Sequence, residues 1–201
     1  MISKSYLQRN YIRDHKSVSE IAKSLKCSQS KINYWLGKHK IQKRTISDAV
    51  YLKNNPNGDP FSKPLLAQEN MFLYGLGLGL YWGEGNKANK HAVRLGNTDP
   101  DLVKMFLMFL EQIYNIDTKK LRFGLQIFSD CSADESIKFW STQLSVHKDK
   151  FYKVIITKSS KSGTYTNKNF HGVLTVYFSN VKLRDMIISA IDDLRINQKQ
   201  K

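Results

Sequence analysis

Between Leu73 and Gly85 the chain reads Leu-Tyr-Gly-Leu-Gly-Leu-Gly-Leu-Tyr-Trp-Gly-Glu-Gly, and Gly75, Gly79 and Gly83 recur every four residues. A glycine inside a helix costs about 0.8–1 kcal/mol relative to alanine. A helix built on this pattern must therefore recover the loss through packing. Four-residue spacing puts the three glycines on one helical face and strips it of side chains, so a second helix can approach it backbone to backbone. Leucines fill other positions, and Gly85 suits a left-handed C-terminal cap. A phosphate-cradling loop fits poorly, because no G-x-G-x-x-G can be laid on the stretch and no strand precedes it.

Glu84 is the odd residue of this segment. A carboxylate at the C-terminal end of an apolar helix meets the negative end of the helix dipole, which is unfavourable by some tenths of a kcal/mol unless a cation compensates. Lys87 or Lys90 is one source of that cation. A divalent metal is another, and Mg²⁺ favours carboxylate and water oxygens.

Pro56, Pro60 and Pro64 crowd into Lys53–Asn70 together with Asn54, Asn55, Asn57 and Gly58, which is turn and linker chemistry. The expected organisation is a small domain over 1–52, a linker over 53–70 and a larger domain over 71–196. In the larger segment, helical periods at Phe72–Glu84, Asp101–Tyr114, Asp134–Leu144 and Val181–Leu194 are interspersed with strand patterns at Ala92–Asn97, Leu121–Ile127, Phe151–Thr157 and Val173–Ser179. This predicts an α+β fold: an all-α N-terminal part and an antiparallel or mixed sheet covered by helices on one face.

Net charge narrows the partner. The chain carries +15 at neutral pH. Residues 1–64 hold 13 Lys and Arg against 4 Asp and Glu, and residues 65–201 hold 19 against 13. So basic a balance favours a polyanion, because Lys and Arg that displace condensed counterions gain free energy on nucleic acid. Cys27 and Cys131 are too few for a disulfide framework or a cysteine metal cage, and the five histidines show no metal-ligand spacing. The longest apolar run, Met71–Trp82, has 12 residues against the roughly 20 that span a bilayer. Met1–Asn10 has no apolar stretch of the secretory type. The expected location is the cytoplasm, associated with the nucleoid, with no membrane partner.

Ser17-Val-Ser-Glu20 has capping-box spacing before an apolar stripe of Ile21, Ala22 and Leu25. Lys26-Cys27 is a turn, Ser28 caps the next helix, and Ile32, Trp35 and Leu36 point inward, with Gly37 near the helix end. Residues Ser17–Ile41 resemble the helix-turn-helix of resolvase-like DNA-binding domains, with Lys26 standing where that family has glycine. The resemblance implies that Ser28–Gly37 is a recognition helix in the major groove of double-stranded DNA. Gln29, Ser30, Asn33 and Tyr34 would then face base edges, and Lys31, Lys38, Lys40, Lys43 and Arg44 would hold phosphates.

The glycine-rich segment resembles the LAGLIDADG motif of homing endonucleases, with Gly85 aligned to the motif's final glycine and Trp82 in place of its first Asp. That resemblance covers about residues 70–195 at fold level. It makes Glu84 the essential acid, puts Glu84 and the Gly83 carbonyl on the metal, and makes Gly75, Gly79 and Gly83 the helix-packing face. A single motif implies a homodimer that hydrolyses phosphodiester bonds with Mg²⁺. The alternative is a non-catalytic DNA-binding regulator that retains the fold. On the sheet, Arg94, Arg122, Gln126, Lys153 and Thr175 are expected opposite the apolar side, facing DNA. A basic hairpin loop from Lys158 to Gly172, with Lys158, Lys161, Lys168, Tyr165 and Phe170, is expected to track the backbone.

Overall fold

The computed structural model of the chain describes residues 1–159 and 170–199. It divides into two compact units, Met1–Pro60 and Phe61–Lys201.

The first unit is all helical. Helix α1 (Lys4–Leu7) is capped by the Ser3 hydroxyl and runs on as a π-helical segment, Gln8–Arg13. Helices α2 (Val18–Ser24), α3 (Gln29–Lys38) and α4 (Ile46–Asn54) follow. Leu7, Tyr11, Ile21, Ala22, Ile32, Leu36 and Ile41 form its core. The chain does not loosen at residue 53 as the proline cluster suggests. α4 runs to Asn54, the buried Asn55 donates to the Tyr51 carbonyl, and the Tyr51 hydroxyl reaches Asp59 at 2.8 Å. Phe61 is already buried in the core of the second unit, and the Ser62 amide donates to the Tyr114 carbonyl. Local side-chain hydrogen bonds thus order a stretch whose composition reads as linker.

The second unit is α+β. In order it contains α5 (Met71–Glu84), β1 (Val93–Asn97), α6 (Pro100–Met108) with a π-helical continuation Phe109–Ile113, β2 (Leu121–Phe128), α7 (Ala133–Leu144), β3 (Ile155–Thr157), β4 (Val173–Phe178) and α8 (Val181–Lys199). The sheet order is β1-β4-β2-β3, antiparallel between β1 and β4 and between β4 and β2, parallel between β2 and β3. Val93, Leu95, Leu121, Phe123, Leu125, Ile127, Leu174, Val176 and Phe178 line the covered face. β3 is much shorter than the strand expected over Phe151–Thr157. Phe151 makes one isolated bridge to Phe123, and Lys153 precedes the strand and is exposed.

α5 meets this core through Gly77, Leu78 and Tyr81. A Cβ at Gly77 would collide with the Phe109 side chain at its Cγ and Cδ2, so only glycine lets the helix lie where it does. Phe109 belongs to an aromatic cluster: Tyr114 meets it edge-on at 5.3 Å, Phe106 lies at 5.9 Å, and Tyr81 stacks on Phe106 at 5.9 Å. Gly75, Gly79 and Gly83 point the other way, exposed, with nothing among the described residues within 4 Å of an added Cβ. Gly85 is not the expected left-handed cap. Its φ is −70°, and its lack of a side chain instead lets the backbone pass close over the Tyr81 carbonyl and ring. No helix among the described residues is long and apolar enough to cross a membrane.

Two measurements check this packing. Gly77→Ala should destabilise the second unit by about 1–3 kcal/mol through overpacking against Phe109. Gly79→Ala should leave its urea midpoint unchanged or raise it, because the gain in helix propensity meets no steric cost. The Tyr114 hydroxyl is buried without a hydrogen-bond partner among the described residues, and burial raises its pKa above the usual phenol value. Tyr114→Phe should therefore stabilise the chain slightly or leave it unchanged in the same melts. With the folded pKa raised, the Tyr114 contribution to stability is complete below the unfolded value of about 10 and falls as pH rises above it.

Candidate nucleic-acid interface

The turn between α2 and α3 is built by local hydrogen bonds. Ser17 and Glu20 form a reciprocal capping box, the Ser17 hydroxyl accepting from the Glu20 amide and the Ser17 amide donating to the Glu20 carboxylate at 2.7 Å. Hydrogen bonding from Ser17, led by its amide, holds the Glu20 carboxyl below its usual pKa. The Cys27 amide donates to the Ala22 carbonyl at 2.9 Å, and Lys26 takes the left-handed conformation, φ 48°. That is the position where glycine is cheap, so Lys26 carries modest strain. The Ser28 hydroxyl then accepts from the Lys31 amide and starts α3.

With Ile32 and Leu36 buried, the phase of α3 is set. Gln29, Ser30, Lys31 and Lys38 are exposed, Asn33 is half-buried, and Tyr34 stands out at 60% exposure. Five of the six expected α3 contacts thus lie on the surface, and the sixth is partly accessible. The Lys38 ammonium sits 4.9 Å from the Trp35 ring centre and 5.9 Å from that of Tyr34, a cation–π arrangement that keeps the charge at the end of the exposed face. Gly37 is not the terminus. α3 continues to Lys38, and Lys40 takes the left-handed turn at φ 54°.

Arg44 departs from expectation. Its guanidinium donates to the carbonyls of Tyr11 (2.7 Å), His15 (3.0 Å) and Lys16 (2.6 Å), and stacks on the Tyr11 ring at 4.1 Å. The Tyr11 hydroxyl in turn accepts from the Arg44 amide. A side chain committed to three carbonyls ties the end of the first helical segment to the entry of α4 and has little left for phosphate.

In the second unit, Glu84 is the last residue of α5 and is exposed, and it forms no ion pair among the described residues. Lys87 does not neutralise it. Its ammonium donates to the Trp82 carbonyl at 2.6 Å, meeting one of the orphan carbonyls of the helix end. No group of three or more His, Cys, Asp or Glu able to hold a metal occurs among the described residues. Glu84 and the Gly83 carbonyl are the only expected metal donors in one chain.

On the sheet, the open face does gather several of the expected residues. Register aligns Arg94 with Tyr177 and Tyr177 with Arg122, then Gly96 with Thr175 and Gly124, then Gln126 with Val173 and Ile155. Arg122 donates to the carbonyls of Lys119 and Leu121, and Gln126 to the Thr157 hydroxyl. Lys153 and Lys158 flank β3 and are exposed. Lys161, Tyr165 and Lys168 lie outside the described residues. Sequence reasoning missed Tyr177, although the alternation of β4 puts it on the face that carries Thr175. It also missed Tyr152, whose ring meets that of Tyr177 at 5.5 Å.

Comparison of the chain with protein-family models, with curated proteins and with solved structures finds no match.

Removing Arg44 tests its placement. Arg44→Ala should lower the stability of the first unit by about 2–3 kcal/mol, the range of charge-assisted hydrogen bonds together with a cation–π contact. Circular dichroism melts detect this. A variant that weakens DNA binding with no change in melting would assign Arg44 to phosphate instead.

Proposed function

We propose that the chain is a sequence-specific double-stranded DNA-binding protein whose α3 enters the major groove. The observation that carries this reading is the exposed face of α3. It presents Gln29, Ser30 and Tyr34 in one patch, with half-buried Asn33 beside them and Lys31 and Lys38 along it. Amide and hydroxyl groups on a protruding helix match the donor and acceptor pattern of base edges, and the lysines supply phosphate contacts that fix register. The charge distribution supports it, since the excess of Lys and Arg is densest in the residues that build this unit. Selection from a random duplex library should return a common site. Asn33→Ala should relax the preference at one base pair, by about 1–3 kcal/mol in discrimination. Enrichment of no site would contradict the reading.

A second reading, LAGLIDADG-type cleavage by a homodimer, is favoured by the solvent-facing Gly75, Gly79 and Gly83 and by the exposed Glu84 at the end of their helix. One chain supplies a single carboxylate. Two copies packed through the glycine face would supply two, and Mg²⁺ is commonly held by one or two carboxylates with the rest of its shell water. Bound there, the metal would activate water for phosphodiester hydrolysis. Under this reading the wild type cleaves a plasmid library carrying the selected site in Mg²⁺, Glu84→Gln does not, and Gly79→Leu is monomeric by light scattering. Tight duplex binding without cleavage under any divalent metal would leave the non-catalytic regulator.

A further inference from the structure

The open face of the sheet differs in chemistry from α3. Among the described residues, none of the four strands carries Asp or Glu. Across the face runs a chain of flat groups. The Arg94 guanidinium lies 4.9 Å from the Tyr177 ring centre, the Tyr177 ring leans over Gly124, where a Cβ would press on it at 2.8 Å, and Tyr152 meets Tyr177 edge-on. Tyr152 is 49% exposed. The neighbouring row is low, with glycine at Gly96 and Gly124 on either side of Thr175. A side-chain-poor row offers nothing long enough to reach base edges at the bottom of a groove about 8.5 Å deep. The exposed Tyr152 ring and the half-buried Tyr177 ring, with Arg94 and Arg122 on the same face and the exposed Lys153 next to Tyr152 in the chain, suit unpaired bases, which present their faces for stacking while their phosphates lie against cations.

We propose that this face binds single-stranded nucleic acid, with a base stacked on Tyr152 beside Tyr177 and the adjoining phosphates held by Arg94 and Lys153. The inference goes beyond duplex recognition by α3 and does not depend on it. DNA and RNA share this chemistry, and the sugar is left to the test.

The experiment measures fluorescence anisotropy of the full chain with labelled oligothymidylate, oligouridylate and a hairpin duplex. The wild type is compared with Tyr152→Leu, Tyr152→Phe and an α3 variant, Lys31→Glu with Asn33→Ala. Tyr152→Leu should weaken single-strand binding about tenfold, within the range for loss of one stacked base. Tyr152→Phe should retain it, and the α3 variant should retain it while losing the duplex. The tighter of the two oligomers names the preferred sugar. Unchanged single-strand affinity in Tyr152→Leu, its loss in the α3 variant, or no single-strand binding by the wild type would overturn the proposal. A chain that binds single strands through Tyr152 but no duplex would uphold this inference and remove the α3 reading.

Discussion

The second unit depends on one close approach, the contact of Gly77 with Phe109. It brings α5 onto the aromatic cluster of Phe106, Phe109 and Tyr114, and it sets the rotation of the helix about its axis. Gly77 lies two residues beyond Gly75, about 200° around the helix. Seating Gly77 inward therefore turns Gly75, Gly79 and Gly83 outward, whereas Glu84, seven residues on and back on the Gly77 side, is exposed because it ends the helix. The packing of α5 and the exposure of its glycine face are consequences of the same rotation.

That rotation was half legible in the sequence. The four-residue spacing identifies a bare helical face, but periodicity carries no sign. It does not say which face meets the chain's own core, and the glycine that does so, Gly77, sits outside the repeat. Features set by neighbours along the chain were read more fully. The capping box at Ser17 and Glu20, the turn at Lys26 and the cap at Ser28 all stand where spacing places them. The alternating residues of β2 also fall on the faces their period demands. Features set by distant contacts were not legible. Nothing in the local sequence shows that Arg44 serves three carbonyls about thirty positions away, or that Asn55 and Tyr51 order a stretch rich in proline. β3 is shorter than the expected strand Phe151–Thr157, because Phe151 makes only a single isolated bridge to Phe123.

The two units present different chemistry to a polyanion. The first offers a protruding helix with amide, hydroxyl and ammonium groups, held by Ile32 and Leu36 on its inner side. The second offers a flat sheet face with rings and guanidinium groups and no strand carboxylate. On the proposed reading, counterion release would contribute affinity at both without conferring sequence preference. Specificity would then come from uncharged side chains that reach bases, and on α3 the proposal assigns this to Gln29, Ser30, Asn33 and Tyr34.

The account rests most heavily on α3 as the element that meets duplex DNA. An amide chemical-shift map of the full chain, titrated with a duplex carrying the selected site, tests it directly. The account predicts that the largest shifts fall on Gln29, Ser30, Lys31, Asn33, Tyr34 and Lys38. Duplex binding that leaves those amides unmoved and shifts residues elsewhere in the chain would contradict it.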